Sequence, residues 1–154
     1  MENKSVLKKY IEEVLKASRL AVLATENDSQ PHASLIAITS LGSIRQLIFA
    51  TYRNTLKYRN LAHNNKVAVL IEGGYVNMKG LKENVVLTIT GHAEELIAEE
   101  NEEAYNAHLK LHPEMESFIR SPYCALFMVI ARSYQMVYGI DDIRWIAAKD
   151  LDAI

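Results

Sequence analysis

Apolar residues recur at helical spacing from Val6 to Leu15. They are Val6, Leu7, Tyr10, Ile11, Val14 and Leu15, interleaved with Lys8, Lys9, Glu12, Glu13 and Lys16. A stripe of that period predicts an amphipathic helix with one face on a core. The pattern then shifts to β-rich runs at 20–25, 32–39 and 44–51, separated by Asn27-Asp28-Ser29 and Leu41-Gly42-Ser43. Runs of this kind between turn residues read as strands. A helix is predicted at about 54–63, then a strand at 66–72, and Gly73-Gly74 to Gly80 reads as a loop. A long strand is expected over 84–97 and a helix from Glu99 to Leu111. Glu99, Glu100, Glu102 and Glu103 suit the positive end of that helix. Pro113 forces a break, and a short helical turn is expected at 114–120. Tyr123 to Tyr138 reads as a long strand, bent or bulged around Arg132-Ser133, and a brief strand follows at 143–147. Strands that follow one another so closely pair antiparallel, which suits a closed barrel better than a βαβ sheet. The expected class is mainly β (α+β), with six or seven antiparallel strands and a few peripheral helices.

Composition narrows the function classes. At 154 residues the chain is expected to be a single domain, residues 1–154, able to bury most of its apolar surface in one core. With 49% hydrophobic and 23% charged residues it is an ordinary globular sequence, not a disordered one. A net charge of −2 gives no electrostatic case for nucleic acid or an anionic membrane. The longest apolar run, Tyr123 to Ala131, is too short to span a bilayer. The start, Met-Glu-Asn-Lys and then an amphipathic stretch, does not read as a signal peptide, so the cytoplasm is the default expectation. Cys124 is alone, which excludes an intrachain disulfide and a cysteine metal cage. Its Ala, Leu, Phe and Met neighbours predict a buried, inert thiol.

Candidate chemistry concentrates at the end of the third strand. A helix opening at Asn54 or Thr55 leaves amides unpaired and carries partial positive charge, with Arg53, Lys57 and Arg59 around it. Thr51 and Thr55 add hydroxyls, so this helix start can be read either as a seat for a phosphate or as an ordinary solvated one. The histidines weigh less. His108 and His112 stand four apart on a helix that Pro113 ends, without a His-Glu-x-x-His pattern, and are expected to be exposed rather than metal ligands. His32 reads as structural, and His92 as a ligand or a solvent-facing strand residue. No metal site is expected.

Residues 49–61, Phe-Ala-Thr-Tyr-Arg-Asn-Thr-Leu-Lys-Tyr-Arg-Asn-Leu, resemble the flavin-binding segment of the pyridoxamine 5'-phosphate oxidase-like family, the FMN-binding split β-barrels. Leu20–Thr25 with Gln30–Leu35 resembles the family's first hairpin, Asn64–Ile71 the strand after its short helix, and Val85–Glu94 the next long strand. The likeness covers roughly residues 15–97. It implies an antiparallel split β-barrel, FMN as cofactor and an FMN-dependent oxidoreductase of unknown substrate. It also implies a homodimer with flavin sites at the subunit interface. The residues implied for the cofactor are Ser34, Leu35, Ile36, Thr51, Tyr52, Arg53, Thr55, Lys57 and Trp145; no catalytic residue is implied.

The departures from the oxidase matter as much. Ser34 and Thr39 stand where the oxidase has a phosphate-binding arginine and a substrate-binding lysine, and Val86 stands where it has a glutamine. Its Arg-x-His-x-Arg cluster has no counterpart in residues 120–154. The resemblance therefore implies a relative with a different substrate. Val137 to Ile146 also resembles the closing strand of haem-binding split barrels, without their repeated glycines. That keeps open a haem-handling protein with His32 or His92 as axial ligand, and a flavin carrier or sensor without enzymatic activity. Trp145 either plugs a barrel end or stacks on a planar ring across a dimer interface.

Overall fold

The computed structural model describes residues 3–78 and 81–152, and about half of the chain is strand. In order, the elements are α1 (Lys4–Ala17), β1 (Leu20–Asn27), β2 (Gln30–Ala37), β3 (Thr39–Ser40), β4 (Gln46–Tyr52) and α2 (Leu56–His63). Then come β5 (Lys66–Met78), β6 (Leu81–Leu96), α3 (Glu102–Leu111), α4 (Glu116–Ile119), β7 (Cys124–Tyr138) and β8 (Asp142–Ala147). The strands form one sheet in the order β2-β1-β5-β6-β7-β4-β3, with β8 added beside β7. All pairings are antiparallel.

The two ends of that order are β2 and β3, and a single residue, Ile38, joins them in the chain. The sheet must therefore curl until its ends meet, which makes the split barrel. Ile38 is fully buried at this seam, and its amide donates to the Arg19 carbonyl at 3.0 Å. The break also explains the strand count: the run predicted at 32–39 is two strands, so eight are present among the described residues where six or seven are expected.

Alternation along the strands fills the barrel with Leu23, Phe49, Val69, Ile71, Leu87, Ile89, Val129 and Tyr134. Phe49 and Phe127 stack with ring centroids 5.2 Å apart. Asn3 caps α1 by accepting from the Ser5 amide at 3.1 Å, and Leu7, Tyr10, Ile11, Val14 and Leu15 face the core as the stripe predicts. The bulge expected near Arg132-Ser133 is present. Thr90 pairs with Ser133 but Gly91 with Ala131, so Arg132 is the extra residue of β7.

Two expectations are corrected. Gly73-Gly74 does not open a loop: β5 runs on to Met78 and pairs with β6, with a register irregularity between Glu72 and Tyr75. At Gly73 a Cβ would come within 2.9 Å of Val14 Cγ2, so the glycine serves the close packing of α1 on β5. Gly80 lies outside the described residues. The second correction concerns His108 and His112, which are each only 1% exposed. α3 lays its Ala104–His108–His112 side on β3 and β4, and the rings meet the seam.

Candidate cofactor site

The segment after β4 builds the site locally. Thr55, not Asn54, caps α2: its Oγ1 accepts from the Tyr58 amide at 3.2 Å and donates to the Tyr52 carbonyl at 2.9 Å. Thr51 Oγ1 lies 2.9 Å from Thr55 Oγ1, so the two predicted hydroxyls are together. Thr51 is nonetheless only 1% exposed, and its hydroxyl stays inside this small network. The amides of Leu56 and Lys57, in the first turn, have no acceptor among the described residues. Lys57 is half-buried there, with no ion pair or hydrogen bond among the described residues, and burial pushes its pKa down. A half-buried ammonium with no partner among the described residues, on a helix whose first two amides are free, leaves positive charge that an anion would relieve.

α2 packs across β1 and β4, and β1 pairs with β2. Asn60, one turn after Lys57 and buried, donates to Thr25 Oγ1 at 3.0 Å, and Thr25 pairs with His32 across β1 and β2. On the same face of β2, Ser34 Oγ and His32 Nδ1 are buried without a partner among the described residues. Orphaned buried polar atoms are uncommon, so both suit a polar ligand. The residues present thus fit a phosphate-bearing cofactor: the start of α2 offers a cation and free amides, and β2 offers an unsatisfied hydroxyl.

The remaining predicted residues divide. Ile36 faces inward and is buried in the core, whereas Leu35 points to the outer face and is 64% exposed. Tyr52 is exposed and meets Phe118 edge-on, with centroids 4.6 Å apart. The Arg53 guanidinium is already engaged. It donates to the carbonyls of Pro122 and Cys124, each at 3.1 Å, and pairs with Glu95 at 3.2 Å. Glu95 also accepts from the Tyr58 hydroxyl at 2.8 Å. Trp145 is 62% exposed on β8, on the outer face of the sheet. Of the other candidates, His92 contacts Glu94 at 3.1 Å, and Cys124 is half-buried with burial raising its pKa to about 11. No group of three or more metal-ligating residues occurs among the described residues.

Sequence reading misses Asn60, Glu95 and the orphaned state of Ser34 and His32. Asn60 has a usable signal, a polar residue on the inward face of α2 beside Leu61. Glu95 has none, because its partners are 37 and 42 residues away. A cleft of about 670 Å³ opens on the far side of β4, between Ala50, Arg53, Glu95, Tyr105 and Cys124. It adjoins the α2 start through Arg53.

A single antiparallel sheet curled until its two ends meet defines a split-barrel protein. The family model for pyridoxamine 5'-phosphate oxidase matches residues 7–122, most of the chain, and the chain belongs to that family. No curated protein matches the sequence significantly. Among solved structures, a heme binding protein from Mycobacterium smegmatis is similar with a TM-score of 0.82 and 18% identity, over 99% of this chain and 61% of that one. This chain therefore spans less than two thirds of that relative. A Clostridium acetobutylicum protein related to general stress protein 26, of the pyridoxinephosphate oxidase family, matches at 0.72 and 13% identity, over 97% and 99%. A FAD-binding protein from Mesorhizobium loti matches at 0.67 and 16% identity, over 83% and 91%. At these identities the likeness is one of fold. No helix among the described residues is long and apolar enough to cross a membrane.

Proposed function

We propose that this chain is an FMN-binding flavoprotein and an FMN-dependent oxidoreductase, with its cofactor phosphate at the start of α2. The observation that carries the reading is Lys57: a half-buried ammonium without a partner among the described residues, in the first turn of a helix whose Leu56 and Lys57 amides are also unpaired there. Lys57 and the Leu56 and Lys57 amides hold the phosphate, and Ser34 Oγ offers a polar contact from β2. Backbone groups of Ser34 to Ile38 would bond the edge of the flavin ring. Bound FMN supplies hydride or electron transfer, and the protein supplies position and electrostatics.

A second copy of the chain completes the site in this reading. The strand registers line up Leu35, Val22, Leu70, Thr88, Gln135 and Trp145 in one row across six strands. None of the six is charged, and Leu35, Leu70 and Trp145 are 64%, 43% and 62% exposed. A self-complementary contact places one end of such a row on the other end of its twin. Trp145 of one subunit then comes to Leu35, next to the ring bed, in the other. Sedimentation at twice 17.4 kDa is expected; a monomer that binds FMN at full strength would sink this part.

Mixing the purified protein with FMN should give flavin absorbance that stays with the protein on gel filtration. Steady oxidation of pyridoxamine 5'-phosphate is not expected from the loaded protein. Ser34 and Thr39 supply no charge for a second phosphate, and Thr39 is buried against His108. One observation favours haem instead, the unpartnered Nδ1 of His32. A Soret band after adding haem, with no uptake of flavin, would replace the first reading by the second. A protein that takes up neither would remove both.

A further inference from the structure

The two buried histidines have no part in the proposed cofactor site, yet both bear on the seam that closes the barrel. His108 Nδ1 lies 2.8 Å from Thr39 Oγ1, and His112 Nε2 lies 2.8 Å from the Ile38 carbonyl. A carbonyl only accepts, so His112 donates from Nε2, and in its neutral form Nδ1 holds the lone pair. The two rings are 4.8 Å apart by centroid. Ile38 at the β2–β3 break and Thr39 directly after it are thus each held by an imidazole from α3 or its C-cap.

We propose that His108 and His112 form an acid-released latch, holding α3 on the barrel seam when neutral and letting it go when His108 takes a proton. The surroundings give the proton no compensation. β3 and β4 bring no charged side chain to the pair. The 98–100 turn carries Glu99 and Glu100 at the opposite end of α3. The 113–115 turn brings Glu114, whose Oε1 is 3.8 Å from His112 Nδ1, and not to His108. Lys110 is on α3 itself, and Arg19 donates to the Leu111 carbonyl, so the nearby cations only add to the penalty. Burial first, and then electrostatic repulsion from the neighbouring His112 imidazole, push the His108 pKa down to about 4.

The sign follows. The latched form has the lower pKa, so the released form binds more protons, and latching weakens as pH falls from the ordinary value near 6.5 towards 4. Between pH 7 and pH 5 the released population should rise about 20-fold, since the released ring is mostly protonated at pH 5 and the latched ring is not. The latch grips Ile38 and Thr39, directly after the Ser34–Ile36 stretch of β2. On the flavin reading, which this consequence rests on, acid should loosen the ring bed and weaken FMN retention.

Amide hydrogen exchange of the full chain, expressed as protection factors for 102–112 and 38–41, tests the latch without any cofactor. The wild type should lose about 20-fold protection between pH 7 and pH 5, and His108→Gln, which cannot titrate, should lose none. Equal loss in both, or no loss in the wild type, overturns the proposal. If the variant does not fold, the imidazole C–H resonances of the wild type decide. A His108 ring titrating near 4 supports the latch, and one titrating near 6.5 overturns it. FMN titrations at the two pH values read the consequence separately. Exchange that shifts while the affinity holds keeps the latch and removes its link to the cofactor.

Discussion

Gly91→Ala is expected to destabilise the protein by about 3 kcal/mol or more, the upper end of what overpacking costs. A Cβ at this position would lie 2.0 Å from the Ile130 carbonyl oxygen, 2.9 Å from its carbon and 3.1 Å from Ala131 Cα. All three are backbone atoms, so no rotamer change relieves the clash. β7 would have to move away from β6 by on the order of 1 Å at the bulge, where the ladder is already interrupted. The neighbourhood resists that movement. The Ala131 amide donates to the Arg45 carbonyl at 2.9 Å, the Arg45 guanidinium returns a bond to the Ala131 carbonyl at 3.0 Å, and Tyr134 holds the Ile44 carbonyl at 2.8 Å. For a domain of this size, 3 kcal/mol corresponds to a fall in Tm of about 10 °C. Thermal unfolding followed by far-UV circular dichroism reads it. Gly42→Ala is the control: it meets open space but has φ +69°, so it should cost only about 1–2 kcal/mol. A Gly91→Ala protein melting within 3 °C of the wild type, on the order of 1 kcal/mol, would mean the strands separate more easily than the geometry implies.

What could be read in advance was local. The α1 stripe, the β-rich runs of β1 and β4, and the Thr51–Lys57 segment each depend on contacts within a few residues, and each is found where the pattern puts it. The bulge at Arg132 was legible for the same reason, as a polar break in an apolar strand. The misreadings share a different cause. Gly73-Gly74 looks like a loop because glycine usually marks one, but here the partner that needs the space is Val14, 59 positions earlier in the chain. His108 and His112 looked exposed because nothing nearby shows that this face of α3 meets Ile38 and Thr39, 74 and 69 residues away. Ala104 at the same helical spacing was the available hint of an inward face. Arg53 was counted with the phosphate seat on adjacency alone, and its partners Glu95, Pro122 and Cys124 all come from distant strands and turns. Chain proximity carries a helix start well, but not the direction of a long side chain beside it.

Lys57→Ala is expected to weaken FMN binding more than the loss of any other single charge in the chain. Arg53 is the obvious rival, but its guanidinium is held by two carbonyls and Glu95, and redirecting it would forfeit those bonds. Arg59 is exposed on the helix, where water screens it. Lys57 alone among the three is half-buried and without a partner among the described residues, so its desolvation cost is already present in the free protein. Phosphate binding would repay that cost, which makes the contact stronger than a surface ion pair. Removing a charge-assisted contact of this kind costs about 1.5–3 kcal/mol, a loss of roughly 10- to 150-fold in affinity. Titrating the apo wild type and variant with FMN by flavin fluorescence measures it directly. The unfolding midpoint without FMN should not fall, because the variant loses no partner of its own. Equal dissociation constants for Lys57→Ala and the wild type would move the phosphate away from the start of α2, and the placement of the ring along β2 would go with it.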